Sequence, residues 1–136
     1  MYTIENIYTV ENIVKVIFAA FMSAISYALG GFDAILQALA AVIVLDYMTG
    51  LLSAAHQKRL SSRAGFASIM KKLMYMAIVS LANIMDSLLY SGSLLRDASI
   101  FFFIANEGLS ILENAACIGF PLPAALKDRL EQIKGK

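Results

Sequence analysis

Cysteine, histidine and charged side chains are scarce in this sequence of 136 residues, and each scarcity excludes a class of protein. Cys117 is the single cysteine, so the chain forms no internal disulfide and offers no cluster of thiolate ligands to a metal. His56 is the single histidine, and neither a Gly-x-Ser-x-Gly turn nor a phosphate-binding glycine loop is present. We therefore expect a protein that is not an enzyme and that carries no cofactor or metal.

The charge content is low for a soluble protein. Charged residues make up 15% of the chain and hydrophobic residues 60%, whereas soluble domains have about 25% and about 45–50%. A chain this short cannot hide so much apolar surface, because small domains have a high ratio of surface to volume. The net charge of +1 gives no basic field for nucleic acid. Composition therefore favours a membrane protein, with half of a very apolar oligomer as the alternative.

Four apolar segments approach the length of about 17–25 residues that a membrane helix needs. They are residues 14–30, 32–55, 73–90 and 98–118. Residues 56–72 form the one long polar connection, and Pro121 and Pro123 stop the last span before a tail, 121–136, that is expected to hold a short amphipathic helix. The sequence thus predicts a single all-α membrane domain, 1–136, with four transmembrane helices. Segment four is amphipathic enough to lie in the membrane interface instead, which would leave three spans.

The basic residues predict which side of the membrane each loop occupies. In a four-span arrangement one side carries the basic residues of the long loop and of the tail, and the other side carries Arg96 alone. Short loops rich in Lys and Arg stay in the cytoplasm, so both termini are expected to be cytoplasmic. Glu5 and Glu11 precede any basic residue, which argues against a cleavable signal peptide. The loop residues that set this topology are Lys58, Arg59, Arg63, Lys71 and Lys72, and those of the tail are Lys127, Arg129, Lys134 and Lys136.

Four acidic residues fall well within the predicted spans, away from their ends: Asp46, Asp86, Glu107 and Glu113. An ionised acid that faces lipid near the bilayer centre costs about 2.5–3.5 kcal/mol on insertion scales. The predicted spans hold no lysine or arginine placed to neutralise these acids. Each acid must therefore be protonated, be shielded within a helix bundle or face water.

These acids share helix faces with other polar residues. The faces point either into an internal hydrogen-bonded seam, or into the water-filled lumen of an oligomer, or, for segment four, towards the membrane surface. The candidates for lining a pore or for oligomerisation are Asp46 and Thr49 in span two, Asn83 and Asp86 in span three, and Asn106, Glu107, Ser110, Glu113 and Asn114 in span four.

Small residues recur in span one. Ala20, Ala24 and Ala28 form a small-x-x-x-small ladder, a pattern that lets helices approach closely. Gly30 and Gly31 leave almost no loop between spans one and two, so a tight hairpin of these two spans is expected to bury the ladder. Self-association between copies of the chain is the alternative use of the same ladder.

Blocks of sequence along the chain resemble one protein family. They are Leu45-Asp46-Tyr47-Met48-Thr49-Gly50, Leu60-Ser61-Ser62 with Gly65-Phe66, Lys71-Lys72, Asp86-Ser87-Leu88, residues 106–114, and Gly119-Phe120-Pro121-Leu122-Pro123. Taken in order, they resemble the phage lysis holins that are grouped with clostridial toxin-secretion holins. Residues 106–114, which read Asn-Glu-Gly-Leu-Ser-Ile-Leu-Glu-Asn, are the most specific of these blocks.

The resemblance implies a homo-oligomer in the bacterial inner membrane that opens a lesion at a set time. An endolysin or a toxin would be its cargo, without a stable contact to the chain. A small ion or proton channel, or a transporter subunit, would use the same intramembrane acids and is the alternative function. A structural membrane partner of another protein is a further alternative.

Overall fold

The computed structural model describes residues 4–134, which form five α-helices and no strand. The helices are α1 (Ile4–Ala28), α2 (Ala34–His56), α3 (Ser62–Leu89), α4 (Leu94–Cys117) and α5 (Ala124–Lys134). The first four are long and apolar enough to cross a membrane, and α5 is a short helix after them. The predicted all-α class is confirmed. The predicted tail residue Lys136 lies outside the described residues, as does the side chain of Lys134.

Two helices begin well before the spans predicted from hydropathy. Helix α1 begins at Ile4 rather than near residue 14, and α3 begins at Ser62 rather than near residue 73. Most of the predicted polar loop 56–72 is therefore helical. For α3 the start is set by an N-cap that precedes the charged residues: Ser61 accepts a hydrogen bond from the backbone N–H of Ala64, 3.5 Å away.

Helices α2, α3 and α4 form a bundle in which α4 packs against both other helices. Helix α2 begins at the N-cap Asp33, whose carboxylate accepts a hydrogen bond from the backbone N–H of Leu36. The rings of Tyr75 and Phe103 stack with centroids 4.1 Å apart between α3 and α4. The apolar core of the bundle comprises Leu29, Leu36, Leu39, Tyr75, Val79, Ile100 and Phe103.

Helix α1 stands apart from this bundle. None of its residues is buried. Its few contacts with the other helices are mainly with α3. The expected packing of α1 along α2 is therefore wrong, and Ala20, Ala24 and Ala28 are all exposed. The glycine pair turns the chain sharply. A groove of about 1300 Å³ nevertheless lies between the last turns of α1 and the facing sides of α2 and α3.

Long-range contacts fix the directions of the helices. Arg96 at the start of α4 contacts Asp33 at the start of α2, and Asn114 near the end of α4 contacts Thr49 further along α2. Helices α2 and α4 therefore run parallel, and α3 packs antiparallel against the other side of α4. The α1–α2 turn and the α3–α4 turn consequently meet at one end of the bundle, opposite the basic turn that joins α2 to α3.

Candidate functional site

Three charged side chains meet inside the bundle, one from each of its helices. The ammonium group of Lys72 on α3 donates to the carboxylate of Asp46 on α2 at 2.7 Å, and it also donates to Glu107 on α4. Lys72 is 9% exposed, Asp46 8% and Glu107 2%. We call these three residues the buried charge cluster.

Lys72 occupies this position because of its place in the helical repeat of α3. It shares one face of that helix with Tyr75, Val79 and Asp86, all of which are buried. Two expectations are wrong: Lys72 lies in helix α3 and not in a loop, and it supplies a base that pairs with two of the intramembrane acids. The cytoplasmic placement of the other loop bases stays a prediction.

Amide side chains extend the cluster along α4. Asn114 donates to the carboxylate of Asp46 at 3.3 Å and to the hydroxyl of Thr49 at 3.1 Å. Asn106 donates to the phenol oxygen of Tyr75 at 3.0 Å. Among residues 4–134, every buried side-chain nitrogen or oxygen has a hydrogen-bond partner. The polar faces predicted for spans two and four therefore do meet, as an internal seam.

The cluster combines two carboxylates with one ammonium group in a setting that excludes lipid. A buried ion pair contributes little net stability compared with a well-packed apolar core, but removing one partner is costly because a charge is then left without compensation. The arrangement thus keeps two acids buried, with one ammonium group shared between them, for as long as the bundle is intact.

The remaining predicted residues of span four lie at the edge of the seam. Ser110 is half-buried beside the cluster, whereas Glu113 is exposed on the surface of α4. The polar stripe of α4 thus passes from a buried acid to an exposed one within two turns.

The two predicted residues of span three lie at the other end of the bundle. Asp86 is 1% exposed and accepts hydrogen bonds from the backbone N–H groups of Leu95 and Arg96, so it caps α4. Asn83 donates to the carbonyl of Ala28 at 3.3 Å and so ties the end of α1 to α3. Four of the five predicted loop bases, Lys58, Arg59, Arg63 and Lys71, are exposed.

A second charged group, which sequence reasoning did not single out as a site, is centred on Arg96. Both terminal nitrogens of Arg96 bind the carboxylate of Asp33, at 2.8 and 2.9 Å, and one also contacts Asp97 at 2.9 Å. These hydrogen bonds from Arg96 hold the pKa of Asp33 below its usual value. An Asp just before an apolar run is an N-cap signal, which was available in the sequence. Its pairing with Arg96 depends on the tertiary fold and was not.

The comparison with known families now identifies the chain's relatives. Residues 23–135 match the bacteriophage holin family. The chain belongs to this family. The chain is also 38% identical over 91 residues to a probable holin of Bacillus phage phi105, a match that covers 67% of each protein.

Bacterial relatives match over longer stretches. An uncharacterized protein of Listeria innocua, Lin0175, is 38% identical over 87% of this chain and 84% of its own length. An uncharacterized 14.9 kDa protein in the nagH 3' region of Clostridium perfringens is 36% identical over 93% of this chain and 98% of its own length. No solved structure matches the chain. Membership of the holin family, together with four apolar helices, makes the chain a multi-pass membrane protein of a pore-forming, non-enzymatic kind.

Proposed function

We propose that the chain oligomerises in the bacterial inner membrane and opens a lesion at a set time, through which an endolysin or a toxin crosses. The observation that carries this proposal is the buried charge cluster: a polar interior within a bundle whose outer surface is apolar. A protein built only to sit in lipid does not need two acids at this depth. A protein that must later face water does.

In the resting protomer Lys72 pairs with both Asp46 and Glu107, so the bundle enters lipid with these two acids shielded and with Glu113 as the one exposed acid of the four in the predicted spans. Beyond Lys15, helix α1 carries no charged residue and exposes large apolar side chains such as Val16, Phe18 and Phe21, so this part is available for contacts with lipid or with other copies. As copies accumulate, mass action raises the number of contacts between them. We propose that assembly is driven in this way.

Opening requires the polar seam to exchange its internal partners for water. Residues on α2 and α4 then line the hole, while Asp86 and Asn83 keep their structural roles at the Arg96 end. Collapse of the membrane potential favours the exchange, since moving one charge across the field is worth about 2.3 kcal/mol per 100 mV. The proposed lining residues are Asp46, Thr49, Asn106, Glu107, Ser110, Glu113 and Asn114.

We propose that both termini are cytoplasmic. The exposed bases Lys58, Arg59, Arg63 and Lys71 lie at or near the end of the bundle that joins α2 to α3, and the helix directions put the end of α4 and the tail at that same end. Short segments rich in Lys and Arg remain on the cytoplasmic side. Arg96 and the two short turns then face the other side of the membrane.

Expression in bacteria that contain a folded cytosolic reporter enzyme tests the function directly. We expect growth to continue normally and then the reporter to appear outside the inner membrane abruptly, once the protein has accumulated. Leakage of ions without release of the enzyme would instead support a small channel. If neither leak occurs while the protein is abundant in the membrane, the pore proposal fails and a structural role replaces it.

A further inference from the structure

The turn between α1 and α2 has the backbone geometry of a hinge. Gly30 and Gly31 have φ values of +83° and +101°, a region that residues with a side chain rarely adopt. Because α1 buries none of its residues and contacts the bundle only near its end, this turn decides where α1 points.

One guanidinium group binds the chain on both sides of this hinge. Nε of Arg96 donates to the carbonyl of Leu29 at 2.5 Å, and Nη2 donates to the carbonyl of Gly31 at 3.0 Å. The same guanidinium group donates two hydrogen bonds to the carboxylate of Asp33, which is the bidentate geometry that arginine and carboxylate favour. Arg96 is 2% exposed and is fixed in turn by the cap that Asp86 places on α4.

The first glycine of the turn is fitted to this arginine. A Cβ atom added at Gly30 would lie 2.7 Å from Nε of Arg96 and 2.5 Å from Oδ1 of Asn83, which is closer than real Cβ contacts. A Cβ atom added at Gly31 would meet nothing within 4 Å. Glycine at position 30 therefore does two things: it allows the positive φ of the turn, and it leaves the space that the side chain of Arg96 occupies.

We propose that Arg96 is the latch of a hinge at Gly30 and Gly31, because its hydrogen bonds hold the turn between α1 and α2 in place. Loss of these hydrogen bonds lets α1 swing away from the bundle, and the lesion then opens earlier. The second part rests on the proposed function. The physical reason is that α1 is held near its own bundle by contacts at one end only, so loss of those contacts lets its already exposed apolar surface turn away from the bundle towards neighbouring copies. Asp33 is the release point, because it supplies the one carboxylate of the latch that lies on the α2 side of the hinge.

The hinge is tested by distance measurements between spin labels on the full chain in lipid vesicles. Labels at Val10→Cys on α1 and Leu73→Cys on α3, in a Cys117→Ser background, are diluted with unlabelled protein so that only pairs within one chain are observed. Asp33→Asn weakens the latch, whereas Asp97→Asn removes the other carboxylate that contacts Arg96 without touching the hinge. We expect the narrow distance peak to be lost in Asp33→Asn and kept in Asp97→Asn. An unchanged distance peak in Asp33→Asn would contradict the proposal that Arg96 holds the hinge.

Alanine at each glycine gives a second, independent pair of variants. Both substitutions strain the backbone at positive φ, but only Gly30→Ala collides with the side chains that hold the hinge, those of Arg96 and Asn83. We expect Gly30→Ala to broaden the distance distribution more than Gly31→Ala does. Equal effects of the two substitutions contradict a specific role for Arg96.

The timing of reporter release tests the consequence for function. We expect release to begin earlier in Asp33→Asn than in the parent and in Asp97→Asn, at equal abundance in the membrane. A parent that never releases the reporter refutes the proposed function, and the distance measurements still decide on the hinge. A swinging α1 with unchanged release timing overturns the claim that the latch controls opening.

Discussion

Replacing Lys72 with methionine is expected to lower the free energy of unfolding of the bundle by about 3–5 kcal/mol, because it leaves a buried charge without its partner. Asp46 and Glu107 would then face each other with no ammonium group between them. Methionine preserves the length and apolar stem of the side chain, so the lost charge dominates the effect. Unfolding in mixed micelles measures the change, and the amount of protein held in the membrane provides a second readout.

The neighbouring lysine provides the matched control. Lys71 is exposed and makes no ion pair in the bundle, so Lys71→Met is expected to leave the free energy of unfolding close to that of the parent. Adding Asp46→Asn and Glu107→Gln to Lys72→Met removes the uncompensated charges and should restore much of the stability. Equal stability of Lys72→Met and Lys71→Met would contradict the buried charge cluster.

Replacing Glu107 and Glu113 together with leucine is expected to abolish or strongly delay release of the reporter at equal membrane abundance. The double variant still pairs Lys72 with Asp46, so the resting bundle keeps a balanced ion pair. Its α4 stripe, however, loses both acids that favour contact with water, and the state in which α4 lines a hole becomes less stable. The comparison is made by timing reporter release in cells that express equal amounts of each protein.

Glutamine at both positions separates polarity from charge. Glu107→Gln with Glu113→Gln keeps hydrogen-bonding groups on the stripe, so we expect this variant to release the reporter with less delay than the leucine variant. If the leucine variant releases the reporter at the parental time, the proposal that α4 lines the hole is wrong.

Much of the fold follows from apolar run length, since a long apolar segment has few stable states besides a membrane helix. An internal seam was one of three arrangements that the polar faces of spans two and four left open, and Asp46, Thr49 and Asn114 do meet in such a seam. Periodicity identifies the polar face of a helix, but it does not say which neighbouring helix that face meets.

Each feature that the sequence did not predict has its own physical origin. Hydropathy ends a predicted span at the first cluster of charges, whereas α3 runs through these charges from its cap at Ser61. Lys72 was therefore not predicted to belong to the bundle. The separation of α1 from α2 was missed because a short glycine turn fixes the distance between helix ends and not the angle between helix axes. The pairing of Arg96 with Asp33 joins residues far apart in the chain and needs the tertiary structure.

The accessibility of Ser110 to water tests the central claim most directly. Ser110 lies half-buried on α4 between Glu107 and Asn114, so a cysteine there reports on the stripe without breaking the buried charge cluster. In a Cys117→Ser background, Ser110→Cys is expected to react slowly with a water-soluble thiol reagent before reporter release and much faster after it. Phe101→Cys, on the exposed apolar face of α4, is expected to stay slow throughout. An unchanged rate at position 110 across reporter release would contradict a hole lined by α4.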